Sequence, residues 1–431
     1  MSVSVAVVGA GPAGFFAIDA LLRGQPAVRV DLIERLPSPY GLARDGVAPD
    51  HQGTKAITRQ FERILMNGAR VRFLGHVELG RDVTLEELRE LYDAVVIAIG
   101  APIDRRLGIP GEDLPGVYGS GAFVGWYNGH PDHSALAPLL DGPHVAVIGH
   151  GNVAIDVARV LAKTPAEMAA GDLPCHAAQA IAAAPLRLVH LIGRRGPAEA
   201  RFTSAELAEL GTLARAHPRV DAADLPAKSD ALPAGAPKFA RKNLDILRGF
   251  AAAPADKPVS IAFRFHARPI AILGTERVEA IRLEPEMAGG GREVVELPVS
   301  TVITAIGYRC RPLTGLPFSD ATGVIANTDG RIDAGLYAVG WAKRGPSGTI
   351  PTNRADAMAV VDRLLAERGA IGPAGKPGGA ALDRLLAERR VRVVSFADWQ
   401  RINAAEVARA APGHPREKFV RVDDMLAVLS S

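Results

Sequence analysis

The chain has 431 residues, 48% of them apolar, and its 50 basic and 47 acidic side chains leave a formal net charge of +3. That length exceeds one core and predicts two or three domains. The near balance of charge argues against nucleic acid or an acidic membrane as partner. Its two cysteines, Cys175 and Cys310, lie far apart with no C-x-x-C, which disfavours a redox dithiol or a cysteine-held iron–sulfur cluster. No apolar run is long enough to span a bilayer. The first strand begins almost at Met1, with no room for a signal or transit peptide. A reducing, cytoplasmic location is therefore expected.

In chain order, the β-branched run Val3–Val8 breaks into G-x-G-x-x-G at Gly9, Gly11 and Gly14. An apolar helical pattern follows at once (Phe15, Phe16, Ile18, Leu21, Leu22). This is the strand–turn–helix setting of a dinucleotide-binding fingerprint. Gly9 permits the tight turn, Gly11 lets backbone approach a pyrophosphate, and Gly14 lets the helix lie close to the strand. The helix start then offers free N–H groups to two phosphates. A second strand, Val28 to Ile33, ends in Glu34, at the spacing where an acid accepts hydrogen bonds from a ribose.

A breaker-rich loop, Pro37 to His51, comes next; loops of that length inside a domain are usually functional or disordered. A helix is expected over Thr54–Met66, strands over Val71–Phe73 and His76–Leu79, and a short helix near Leu85–Leu91. Tyr92 to Gly100 reads as a buried parallel strand ending in glycine, and Pro102 to Gly116 as a crossing between domains. At His144 the pattern restarts: a strand runs into Gly149-His150-Gly151-Asn152-Val153-Ala154 and then a helix. The second strand of this repeat, Leu186 to Ile192, ends in Gly193-Arg194-Arg195 where the first unit has an acid. Two guanidinium groups there suit a 2′-phosphate, predicting NADP rather than NAD.

Thr203-x-x-Glu206 has capping-box spacing, so local evidence favours Glu206 as a helix cap over a ligand contact. His217 to Lys238 is Ala/Pro-rich and irregular, followed by a basic helix with Lys238, Arg241, Lys242 and Arg248. Arg264 to Leu297 reads as a small antiparallel region. Val302 to Gly307 repeats the strand-to-glycine pattern, and Leu336 to Trp341 is a further strand. It leads through Ala342–Ile350 to a helix over Asn353–Glu367, a Gly/Pro linker (Gly369 to Gly379) and a polar helical tail.

Two dinucleotide units suggest a flavoprotein that accepts hydride from NAD(P)H. With its later motifs the chain resembles the adrenodoxin reductase family of ferredoxin–NADP reductases over essentially its whole length. The most specific stretches are Tyr40–Arg44 with Gly46–His51, Gly151–Arg159, Gly193–Pro197 and Gly340–Pro346. The resemblance implies an α/β fold of two Rossmann-like domains, the NADP domain (residues 104–304) inserted in an FAD domain (1–103 and 305–431). It implies FAD at the first turn, with Ala13 on the pyrophosphate, Glu34 on the adenosine ribose and Leu42 and Leu79 beside the cofactor. Trp341, Gly348, Thr349 and Ile350 would lie along the flavin ring. NADP(H) would take His150, Gly151, Asn152 and Val153 at its pyrophosphate and Arg194 and Arg195 at its 2′-phosphate.

The same resemblance places Glu206 and Gly348 near the nicotinamide, reversing the local preference for Glu206 as a cap. A lone loop histidine is usually just solvated, but the family's matching His and preceding Asp lie beside flavin and nicotinamide. Asp50 and His51 are thus expected to tune hydride transfer electrostatically, not to act as an essential acid and base. No metal site is expected. The implied partner is a ferredoxin-type iron–sulfur protein, or a flavodoxin. Mitochondrial members carry docking basic residues where this chain has Ala208, Phe239 and Asn243, with Lys238, Arg241 and Lys242 nearby. A flavin monooxygenase and a non-catalytic nucleotide sensor are the alternative readings.

Overall fold

The structure is a computed structural model describing residues 3–227, 232–285, 293–367 and 375–430. Its frame is a pair of six-stranded sheets. The first runs, edge to edge, Arg331–Asp333, Leu336–Ala338, Ala94–Ile97, Val3–Val8, Val28–Glu34 and Val71–Gly75. All its pairings are parallel except that of the two late strands with each other. The second runs Val117–Gly119, Thr301–Thr304, His144–Ile148, Leu188–Ile192, Val259–Arg264 and Ala216–Arg219, parallel throughout. Parallel strands need both faces covered, which is why Val5, Val7, Val96, Val147, Leu191 and Ile303 are fully buried. The expected antiparallel region is a three-stranded sheet, Ala267–Leu273, Ala280–Pro285 and Val295–Pro298; residues 286–292 lie outside the described residues.

The chain passes from the first sheet to the second through Ile103–Asp104 and returns through Tyr308–Arg309, and these two short strands pair antiparallel. Asp104 then accepts the N–H groups of Gly121 (2.7 Å) and Ala122 (3.1 Å), tying the ribbon to the start of the helix Ser120–Asn128.

Two local expectations fail for identifiable reasons, and the tail has a role its composition did not show. The helix expected over 54–66 is two pieces, Gln52–Lys55 and Thr58–Leu65, because the buried Lys55 ammonium turns to the Arg44 carbonyl, Asn128 and Asp172. The strand expected at His76–Leu79 is a turn: His76 has φ +61°, and only Leu79 bridges, to Val83. The polar tail is part of the core. Its helices Phe396–Ala408 and Val422–Ala427 bury Trp399, Ile402 and Met425 against the first unit. Glu406, fully buried, receives two hydrogen bonds from the Arg44 guanidinium (2.6 and 2.9 Å). Of the Gly/Pro linker, residues 369–374 lie outside the described residues.

Candidate functional site

At the first turn Gly9 has φ +109°, and a Cβ there would lie 2.5 Å from the Ala98 carbonyl oxygen. Only glycine lets the turn pass so close to the neighbouring strand end. Gly14 packs against the Gly9 carbonyl, whereas the space beside Gly11 is open for 4 Å. Gly11 caps the helix Pro12–Gly24 without any side-chain hydrogen bond, so no cap side chain occupies the first N–H groups of the helix. Glu34, at the end of its strand, accepts Ala10 N–H (2.8 Å) and Leu36 N–H (3.2 Å). Burial holds its carboxyl above the usual range.

Leu79 is buried among Val8, Ile33 and Leu74, at the ends of the same strands. Leu42 is 45% exposed, an apolar side chain left uncovered beside the turn. Ala13 faces Gly340, where a Cβ would come within 2.5 Å of its own. The next residue, Trp341, is half-buried; its indole N–H donates to the Ser347 carbonyl (3.2 Å) and its ring stacks on Tyr308 (centroids 6.0 Å, 17°). Gly348 and Thr349 are exposed and Ile350 half-buried, on the segment that enters the helix Thr352–Ala366. The first unit thus has an open glycine turn, an acid at its ribose position and a partly uncovered apolar wall. These features fit FAD.

The second turn repeats the first. Gly149 has φ +141°, its Cβ position lies 2.3 Å from the Ala305 carbonyl oxygen, and Gly151 is open for 4 Å. The Asn152 amide oxygen accepts Thr203 N–H (2.8 Å), and Val153 is half-buried on the first turn of the helix Asn152–Ala162. The His150 backbone belongs to the turn, but its ring points away: Nε2–H donates to the Leu191 carbonyl (3.1 Å) within a cluster of Phe202, Phe263 and Phe265. Burial pushes its pKa down to about 4. Arg194 and Arg195 are exposed at the end of the following strand, Arg195 within 3.9 Å of Glu199. Exposed guanidinium groups at this position fit a 2′-phosphate.

Asp50, His51 and Glu206 belong to one charged cluster. His51 Nε2 lies 3.0 Å from Glu209 and 3.7 Å from Glu206, and Nδ1 lies 4.0 Å from Asp156. Thr203 accepts Glu206 N–H at 3.5 Å, so half of the capping box exists. The other half does not: the Thr203 N–H is taken by Asn152, and the Glu206 carboxylate turns to His51.

Sequence reasoning missed the rest of the cluster. Arg159, with no exposed side-chain surface, donates to Asp50 and to Asp156 (2.6 Å) and lies 3.3 Å from Glu209. Lys163 also reaches Asp50 (2.6 Å). Burial and the neighbouring Glu206 and Glu209 charges hold the Asp156 carboxyl well above its ordinary range. The signal was available: Asp156, Arg159 and Lys163 recur at helical spacing on an otherwise apolar helix. His51, Asp156 and Glu206 bring ligand atoms within 4.8 Å of one another, a spacing a metal ion also uses. Here Arg159 supplies the positive charge from within the chain.

Two glycine turns on parallel sheets, with a charged cluster contributed by both units, define a pyridine-nucleotide oxidoreductase with two dinucleotide units. A family model described as pyridine nucleotide-disulphide oxidoreductase matches residues 3–196. The chain is 41% identical to the NADPH-ferredoxin reductase FprA of Mycobacterium leprae, with 98% of each chain covered. It is 39% identical to the mitochondrial NADPH:adrenodoxin oxidoreductase of Homo sapiens, covering 99% of this chain and 91% of that one. The structure of Mycobacterium tuberculosis FprA in complex with NADPH superposes with a TM-score of 0.94 at 40% identity, over 100% of both chains. The protein belongs to the adrenodoxin reductase family of NADPH–ferredoxin reductases. Both its cysteines are free, Cys175 exposed and Cys310 buried, so the disulphide chemistry in the broader family's description has no dithiol here.

Proposed function

We propose that this chain is an FAD-containing ferredoxin–NADP reductase. Residues 1–103 and 305–431 hold FAD, residues 104–304 hold NADP(H), and a ferredoxin-type iron–sulfur protein exchanges electrons with it. The observation that carries the reading is the pair of matching glycine turns, each open beside its second glycine, in one chain with the charged cluster around His51. When bound, FAD supplies the conversion between a hydride, carrying two electrons at once, and the single electrons an iron–sulfur protein takes.

The chain's own part is placement and field. Gly9, Gly11, Ala13 and Gly14 present backbone to one pyrophosphate, and Glu34 accepts from ribose hydroxyls. Leu42 and Leu79 lie beside the cofactor, and Trp341, Gly348, Thr349 and Ile350 lie along its ring. Gly151, Asn152 and Val153, with the His150 backbone, present the second turn, and Arg194 and Arg195 grip the 2′-phosphate. Glu206 and Glu209 favour the positive charge that a nicotinamide acquires as it gives up hydride. His51, set against the Glu206, Glu209 and Asp156 carboxyl groups, tunes that field. Asp50 positions His51 and is itself held by Arg159 and Lys163.

No helix among the described residues is long and apolar enough to cross a membrane, and two free thiols suit a reducing compartment. We place the enzyme in the cytoplasm. The test is anaerobic mixing with NADPH, then NADH, following flavin absorbance, and then addition of a ferredoxin. Rapid bleaching by NADPH with reoxidation by the ferredoxin is expected. Flavin that NADPH leaves oxidised overturns the reading.

A further inference from the structure

The loop Pro37–His51 joins the two nucleotide turns mechanically. At one end Tyr40 N–H donates to the Ala10 carbonyl (2.8 Å), inside the first glycine turn. At the other end Asp50 is gripped by Arg159 and Lys163 (2.6 Å from Lys163). Both cations sit on the helix Asn152–Ala162 and its cap residue, and that helix begins at Gly151, the second turn. The Arg159 guanidinium also binds Asp156 and lies 3.3 Å from Glu209, two of the acids around His51. It has no exposed surface, so its charge is committed to these partners and to no solvent.

We propose that Arg159 is a positioning residue for hydride transfer: by clamping Asp50 to the second unit's helix, it sets the separation of the two cofactor turns and the pose of His51. The proposal rests on the reductase reading above and extends it to a residue outside both cofactor sites. A planar guanidinium with one nitrogen on Asp50 and the other on Asp156 fixes direction as well as distance, and hydride transfer is sensitive to misplacement of about 1 Å. The other groups facing Arg159 are Glu206, by its field, and Lys163, which shares Asp50. Neither offers a second fork, so no neighbour replaces it.

The test compares the holoenzyme with Arg159→Met and Arg159→Lys, and with Asp50→Asn, which releases the clamp from its other side without emptying the interior. FAD content and affinity for 2′,5′-ADP, the adenine half of the dinucleotide, report whether each unit is intact. The long-wavelength absorbance of nicotinamide stacked on flavin, together with the rate of bleaching by NADPH, reports their relative placement. In Arg159→Met and Asp50→Asn, FAD content and 2′,5′-ADP affinity are expected to stay within about twofold. The stacking band should be lost and bleaching slowed by about a hundredfold, with partial recovery in Arg159→Lys. Wild-type stacking and bleaching in Arg159→Met or Asp50→Asn overturn the proposal. So does a parallel loss of 2′,5′-ADP affinity in Asp50→Asn, which would make the clamp a mere support for the second unit. Failure of the wild-type protein to bleach at all overturns the reductase reading instead, and is distinguished by that control.

Discussion

Glu206 shows what residue-level reading can and cannot decide. Thr203-x-x-Glu206 has the spacing of a cap, and the Thr203 half of that cap forms. What releases the carboxylate is Asn152, fifty-one positions before Thr203, which occupies the N–H that Glu206 would otherwise take. No local pattern contains that bond; the family resemblance pointed to the site without revealing the reason. The glycines were legible because their constraint is local. Gly11 gives a clean prediction, since a Cβ there meets nothing within 4 Å. Gly11→Ala is expected to melt as the wild type does yet purify with less FAD, measured by the ratio of flavin to protein absorbance. The arginine pair gives another. Charged hydrogen bonds to phosphate contribute about 1.5–3 kcal/mol. Arg194→Ala combined with Arg195→Ala should therefore lower kcat/KM for NADPH by about 10- to 100-fold and leave NADH unchanged. Equal losses for both nucleotides would refute the 2′-phosphate assignment.

Among the elements, the break between Gln52–Lys55 and Thr58–Leu65 carries a pH signature. Lys55 is buried with Asp172 at 2.9 Å, yet burial and the nearby Lys418 bring its pKa down to about 7. An unfolded lysine titrates near ~10.4. Between those values the unfolded chain holds a proton that the folded chain lacks, so stability rises with pH. Below pH 7 both forms are protonated and the slope from this residue vanishes. The contribution is bounded at about 1.4 kcal/mol per pH unit. Urea midpoints measured from pH 6 to 10 should climb above neutrality in the wild type. Lys55→Met should flatten that climb. The periodicity of Ile57, Phe61, Ile64 and Leu65 was readable as a helix. That a lysine would be pulled inward to interrupt it was not, because its partners Asn128 and Asp172 come from the other unit and lie beside Lys418 of the tail.

Across the whole molecule, the two repeats of strand, glycine turn and helix announced two parallel sheets. That the tail joins the core was not legible, because its buried charges look like surface. Lys418 and Glu406 are as polar as any exposed residue, but each is satisfied by a partner far along the chain: Arg44 for Glu406, and the Arg44 and Asn128 carbonyls for Lys418. Removing one member of a buried ion pair costs about 3–5 kcal/mol, and burial of a large apolar side chain contributes about 1.5–3 kcal/mol. A chain ended at Val394 loses Glu406 and Lys418 together with Trp399, Ile402 and Met425. It is expected to lose its cooperative thermal transition and its FAD, as read by circular dichroism and flavin fluorescence. A truncated protein that still melts sharply with FAD bound would show the tail to be dispensable.

The paired ribbon of Ile103–Asp104 and Tyr308–Arg309 also dictates an order of birth. As the chain leaves the ribosome, the strand Ala94–Ile97 emerges early, but its neighbour Leu336–Ala338 follows only after the entire intervening sheet has been made. The intervening segment has both its ends at one spot and can close while still tethered. The first sheet must wait with one edge unpaired, an apolar template for foreign strands. Nascent chains stalled just before Leu336 are thus the stage at which chaperones have the most to hold.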